Sequence, residues 1–150
     1  MITITLRHIL DAKPCYDPRN SGFIPADHDL DAPITFREIR EKAGAADTVW
    51  CFAKAMTVND ALKLHFAVDC SERVRHLMTD ERSLNALAVA RRYALSDASD
   101  NELMSAEYAA WAAAWAAKSA ACENAKREEV QWQADRIIEL AESGEWSPVE

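Results

Sequence analysis

Four residues of one predicted helix could between them hold a metal ion. His65, Asp69, Glu72 and His76 recur at steps of four, three and four, which places them on one stripe of an α-helix. Imidazole with carboxylate is a donor set suited to zinc or another divalent cation. A metal-dependent enzyme built on that stripe needs further ligands from elsewhere, and the chain holds no HExxH and no paired ExxH motif. The same residues read as the solvated flank of an amphipathic helix whose apolar face is Leu62, Phe66, Cys70, Val74 and Leu77. The solvated flank is the stronger reading, so no metal and no cofactor is expected.

Other chemistry has less support. The chain lacks a GxSxG elbow, a P-loop and a GxGxxG turn, and three glycines leave little scope for cradling phosphate. Cys15, Cys51, Cys70 and Cys122 form no CxxC pair; they are expected to be reduced and buried, with Cys70 an inert thiol on its helix's apolar side. His8 and His28 have no evident partners. Asp27, His28, Asp29 and Asp31 make an acidic knot that reads as a solvated loop before it reads as a weak cation site. No catalytic residue stands out, and the chain is expected not to be an enzyme.

Charge points to a partner. The formal net charge is −8 over 150 residues. From Asp100 onward eleven acidic residues face four basic ones, whereas residues 60–98 hold six of each. Direct nucleic-acid binding needs the opposite sign. A protein whose basic surface normally holds nucleic acid would be steered toward this field, although acidity also serves plain solubility.

The elements that position these residues are predicted to be helical, with one domain over residues 1–150. The expected fold is all-α: a compact bundle of five to six helices. Residues 3–12 read as a short helix or an extended start. Residues 13–33, with four of the five prolines, read as an irregular crossing packed onto the body through Tyr16, Phe23 and Ile24. Thr35 with Glu38 makes a capping box, and Ile34 can staple to Ile39, opening a helix to about Lys42 that ends near Gly44. Asp47 reads as the cap of a helix carrying Val49, Trp50, Phe52, Ala53 and Met56. Thr57 with Asp60 opens a third to about Met78, Asp80 a fourth to about Leu95, and Ser99 with Glu102 a long last helix stopped by Gly144 and Pro148.

That last helix holds YAAWAAAWAAKSAA at 108–121. Met104, Tyr108, Trp111, Trp115 and Cys122 form a heptad-like stripe, and Val130, Ala134, Ile137 and Ala141 resume it in a rotated phase. A helix from Asp100 to Ser143 would span roughly 66 Å at 1.5 Å per residue, so a break near Asn124 is expected. Trp111 and Trp115 read as core. Trp132 and Trp146 read as exposed anchors within an acidic surface of Glu123, Glu128, Glu129, Asp135, Glu139 and Glu142, with Asp27, Asp29 and Asp31 as a second acidic candidate. MITITLRHILDAK is not a signal peptide and no apolar span is long enough for a membrane, so a cytoplasmic setting is expected.

The pattern FAxDCxERVxxLM, then DxRSxxALxxARRYA, then AAWAAAWAA, over roughly residues 45–125, resembles small alanine-rich phage and bacterial proteins, among them the Imm5-like group of immunity proteins. The resemblance implies a helical fold and a setting of conflict between phage, host or toxin; it carries no catalytic residues. The expectation is a phage anti-defence protein, of anti-CRISPR or nuclease-inhibitor type, that binds a basic surface of a host protein. The alternatives are a toxin-neutralising immunity protein, a phage structural or assembly protein forming a homodimer through the long helix, and a metal-dependent enzyme.

Overall fold

A computed structural model describes residues 1–56, 60–78, 81–102 and 123–146. The chain is mostly helical, as expected, and adds one small sheet. Strands β1 (Thr3–Thr5) and β2 (Pro33–Thr35) pair antiparallel, with Ile4 opposite Ile34. Both isoleucines are buried, which fixes the register, since a one-residue slip would turn them to solvent.

The chain divides into two compact units, one of Met1–Asp60 with Arg127–Trp146 and one of Ala61–Lys126 with Ser147–Glu150. In the first, helix α1 (Leu6–Asp11) follows β1 directly. Thr5 caps it, its hydroxyl accepting from the His8 amide while the Thr5 amide donates to His8 Nδ1, both at 3.3 Å. His8 therefore has a partner that spacing alone did not reveal. Helix α2 (Phe36–Lys42) starts at the expected box: Thr35 N–H donates to Glu38 Oε2 at 2.8 Å, and Thr35 Oγ1 accepts from the Glu38 amide at 3.2 Å. Ile34 and Ile39, on either side of that cap, are both buried.

Helix α3 (Ala45–Trp50) begins two residues before the predicted cap. Gly44, at φ 93°, occupies the cap position, a backbone conformation that side chains resist. Asp47 instead lies in the first turn, and buried Thr48 donates its hydroxyl to the Gly44 carbonyl at 2.9 Å. The helix widens into a π-helical turn, Cys51–Ala55, closed by the Met56 N–H on the Cys51 carbonyl at 3.0 Å. That turn delivers Phe52 edge-on to Phe36, with ring centroids 5.7 Å apart.

The last described helix, α6 (Glu123–Ser143), buries Ala134, Ile137, Ile138, Leu140 and Ala141, while Val130 of the predicted stripe is half-buried. Its description starts at Glu123, so the expected break near Asn124 falls at the edge of the described residues. The alanine–tryptophan stretch before it, with Met104, Tyr108, Trp111, Trp115 and Cys122, lies outside the described residues, as do Thr57, Asp80 and Pro148. Gly144, at φ 71°, ends α6 with its N–H on the Leu140 carbonyl at 3.0 Å.

The second unit holds α4 (Asp60–Arg73) and α5 (Glu81–Ala94). Helix α4 stops short of the expected Met78 and gives way to a single 3-10 turn, Arg75–Leu77. Helix α5 ends in a Schellman arrangement: Asp97 N–H reaches the Arg92 carbonyl at 2.8 Å and Ser96 N–H the Tyr93 carbonyl at 2.9 Å. Ser99 and Glu102 then cap the next helical turn, Ser99 N–H donating to Glu102 Oε2 at 2.9 Å.

Candidate functional site

The proline-rich crossing forms one wall of a hollow of about 190 Å³ in the first unit. Pro14 and Pro18 line it where the crossing bends and then turns over Pro18 to Gly22, and Phe23 with Ile9 of α1 supplies apolar surface. The opposite wall is α3 and the start of the π turn, with Ala46, Asp47, Trp50 and Cys51. Cys15 and Tyr16 stand at its exposed side. Tyr16 lies near Asp47, whose carboxylate acts on the phenol. Burial first, then the neighbouring Asp47 carboxylate, pushes the phenol up to about 12. The Cys51 thiol, buried at the base and facing Asp47, is pushed up to about 12 by burial first and is held protonated. The hollow thus presents apolar walls, aromatic rings and a single carboxylate.

Sequence reasoning read Tyr16, Phe23, Asp47, Trp50, Cys15 and Cys51 as structural and did not bring them together as a site. Tyr16 was expected to pack inward, yet it is 40% exposed, and Asp47 was read as a cap. Cys15 is exposed, against the expectation that all four thiols are buried; Cys70 is half-buried. The proline pair around Tyr16 was the available signal.

Of the acidic residues expected to form a surface on α6, the Glu123 side chain lies outside the described residues and several others are engaged from within. Glu128, Gln131, Asp135, Glu139 and Glu142 are exposed and recur at steps of three and four, a single row. Two arginines of α2 meet that row. Arg37 Nε and Nη2 donate to the two carboxylate oxygens of Glu142 at 2.7 and 2.8 Å, holding Glu142 below its ordinary value of 4.5. Arg40 bonds Gln131 and lies 3.4 Å from Asp135. Arg136 donates to Glu139 at 2.9 Å, and Glu129 accepts from Gln133 at 3.1 Å. Trp132 and Trp146 are half-buried rather than protruding anchors.

The acidic knot of the crossing is likewise engaged. Arg7 Nε and Nη2 donate to both oxygens of Asp31, at 2.7 and 2.8 Å, and Asp29 accepts from the Asp31 amide at 2.9 Å. Asp31 titrates below its ordinary value because of that arginine. Asp27 is exposed, while His28 Nε2 is shielded from solvent with no hydrogen bond among the described residues.

The histidine–carboxylate stripe does not stay together. His65 Nε2 lies 3.1 Å from the Ala94 carbonyl of α5. Glu72 pairs with Arg91 at 3.4 Å and Arg75 at 3.8 Å. Asp69, expected on a solvated flank, is fully buried, and His76 leaves the stripe because α4 ends at Arg73. No three His, Cys, Asp or Glu side chains among the described residues are arranged to hold a metal ion.

No family model, no curated protein and no solved structure matches the chain. The resemblance over residues 45–125 therefore stands on the motifs quoted for it. No helix among the described residues is long and apolar enough to cross a membrane.

Proposed function

We propose that the chain is a non-enzymatic, acidic inhibitor carried by a mobile element, which binds a host defence protein and covers its basic nucleic-acid-binding surface in the manner of an anti-CRISPR or nuclease inhibitor. The observation that supports it is the placement of charge. The first unit contains fifteen acidic and nine basic residues, a net of −6 within the −8 of the chain, and α6 carries the exposed row from Glu128 to Glu142. Such a field draws a basic partner and sets its orientation more than it adds raw affinity. The setting of phage–host conflict comes from the resemblance alone.

The test is inhibition. Purified chain is mixed with guide-loaded CRISPR effectors and with free nucleases, and cleavage of labelled nucleic acid is followed. Inhibition of at least one target is expected, weakening steeply between roughly 0.05 and 0.5 M salt as screening shortens. Reversing charge at Glu128 and Asp135 together should abolish it. Binding indifferent to salt, or inhibition untouched by the double reversal, would retire the charge-based reading.

A further inference from the structure

We infer that the hollow around Asp47 receives the side chain of a lysine presented by the basic partner, its methylene stem against Ile9, Phe23 and Trp50 and its ammonium at the Asp47 carboxylate. The inference rests on the function proposed above and adds a contact point away from the α6 row.

Three features of the hollow select that occupant. At about 190 Å³ it is smaller than the roughly 300–1,000 Å³ of drug-sized ligand sites, so it suits one side chain better than a cofactor. Its walls are apolar and aromatic except for Asp47, within a unit of net charge −6, so a long apolar stem ending in a cation is complementary. A carboxylate offers about four lone-pair sites to an ammonium, and the half-buried Asp47 is the one carboxylate in the lining. Aromatic faces near a cation add to the attraction. Lysine fits better than arginine here. A compact ammonium on an unbranched stem fills a hollow of about 190 Å³ with less bulk than a planar guanidinium.

The probe is Nα-acetyl-lysine methylamide, titrated into the isotope-labelled full chain while the amides of Ala46 and Asp47 and the Trp50 indole are followed by NMR. Those signals should move, with the norleucine analogue, which lacks the ammonium, binding about tenfold more weakly and the arginine analogue falling between them. Asp47→Asn should weaken the lysine probe about tenfold, while Glu81→Gln, which removes one charge from the second unit, should leave it unchanged. The comparison of lysine with norleucine needs no variant, so it decides even if Asp47→Asn melts early. Norleucine binding as tightly as lysine, or signals that do not move, would overturn the inference. If a basic target is inhibited in a salt-dependent way while the lysine probe leaves Trp50 unmoved, the hollow is not the contact and the acidic-surface reading stands. If the probe moves Trp50 but no basic target is inhibited, the hollow's ligand chemistry holds and the proposed function fails.

Discussion

Arg37 grips both carboxylate oxygens of Glu142, at 2.7 and 2.8 Å, across 105 residues of sequence. The pair ties α2 to the last turn of α6 and takes one member of the acidic row out of service. Its removal should therefore have two opposed effects. Arg37→Ala is expected to lower the melting temperature slightly, since both groups are largely exposed. It should also strengthen binding to a basic target by roughly two- to threefold, because Glu142 is released and a repelling cation is lost. Calorimetric titration of the variant and of Arg37→Ala/Glu142→Gln separates these; binding that weakens in the single variant would place Arg37 in the interface itself.

The Thr35 cap is a local device with a local cost. Thr35→Ala removes the acceptor for the Glu38 amide and should destabilise the chain by about 1 kcal/mol, read by urea unfolding with an unchanged slope. Thr35→Ser keeps the hydroxyl and should restore most of it.

Acid should loosen the first unit through the same cap. Glu38 titrates below its ordinary 4.5, first because the Thr35 amide and hydroxyl bond its charged form. A depressed folded value means that the stabilisation is complete above about 4.5 and is lost as pH falls through that folded value. Glu38→Gln is thus expected to lower the melting temperature near neutral pH, and its curve should converge on the parent's at about pH 2. A gap that persists in acid would show that the lost contact was not the carboxylate's.

Ser96 sits at φ 61° at the end of α5, where a Cβ crowds the following carbonyl oxygen. Ser96→Gly should stabilise the chain by up to about 1 kcal/mol, reduced by glycine's greater freedom when unfolded. Thermal melts of the two proteins at equal concentration measure it.

Thiol reactivity should sort by position. Cys15 is exposed, whereas Cys51 is buried and pushed up to about 12. At mildly alkaline pH a maleimide should label Cys15 in the folded chain and reach Cys51 only after denaturation, as read by peptide mass mapping. Rapid native labelling of Cys51 would show that the hollow opens to its base.

What could be read in advance follows from the range of each interaction. The boxes at Thr35 and Ser99 were legible because cap and third residue are written three positions apart. The box at Thr5 was missed because its third residue is His8, whose Nδ1 takes the role usually given to glutamate. The two strands were missed because three residues are too few for alternation to emerge from a helical background. Asp69 was placed in water because a polar stripe was assumed to face it, and its burial depends on neighbours that helical spacing does not specify. For the candidate site, the acidity of α6 was plain, but the arginines that temper it come from α2 and could only be found in three dimensions. The hollow joins residues 14–18 to residues 46–51, and neither segment carries a motif.

The N–H of Ile2 meets the carbonyl of Ala141 at 2.6 Å, so the first unit joins the opening strand to the final helix while residues 61–126 lie in sequence between its two parts. During synthesis that unit cannot close until α6 has left the ribosome. At roughly 5–20 residues per second, β1 and the apolar faces of α1 to α3 wait several seconds for Ile137, Leu140 and Ala141. The chain must keep that surface from aggregating over the interval, which gives its negative charge a second use during birth.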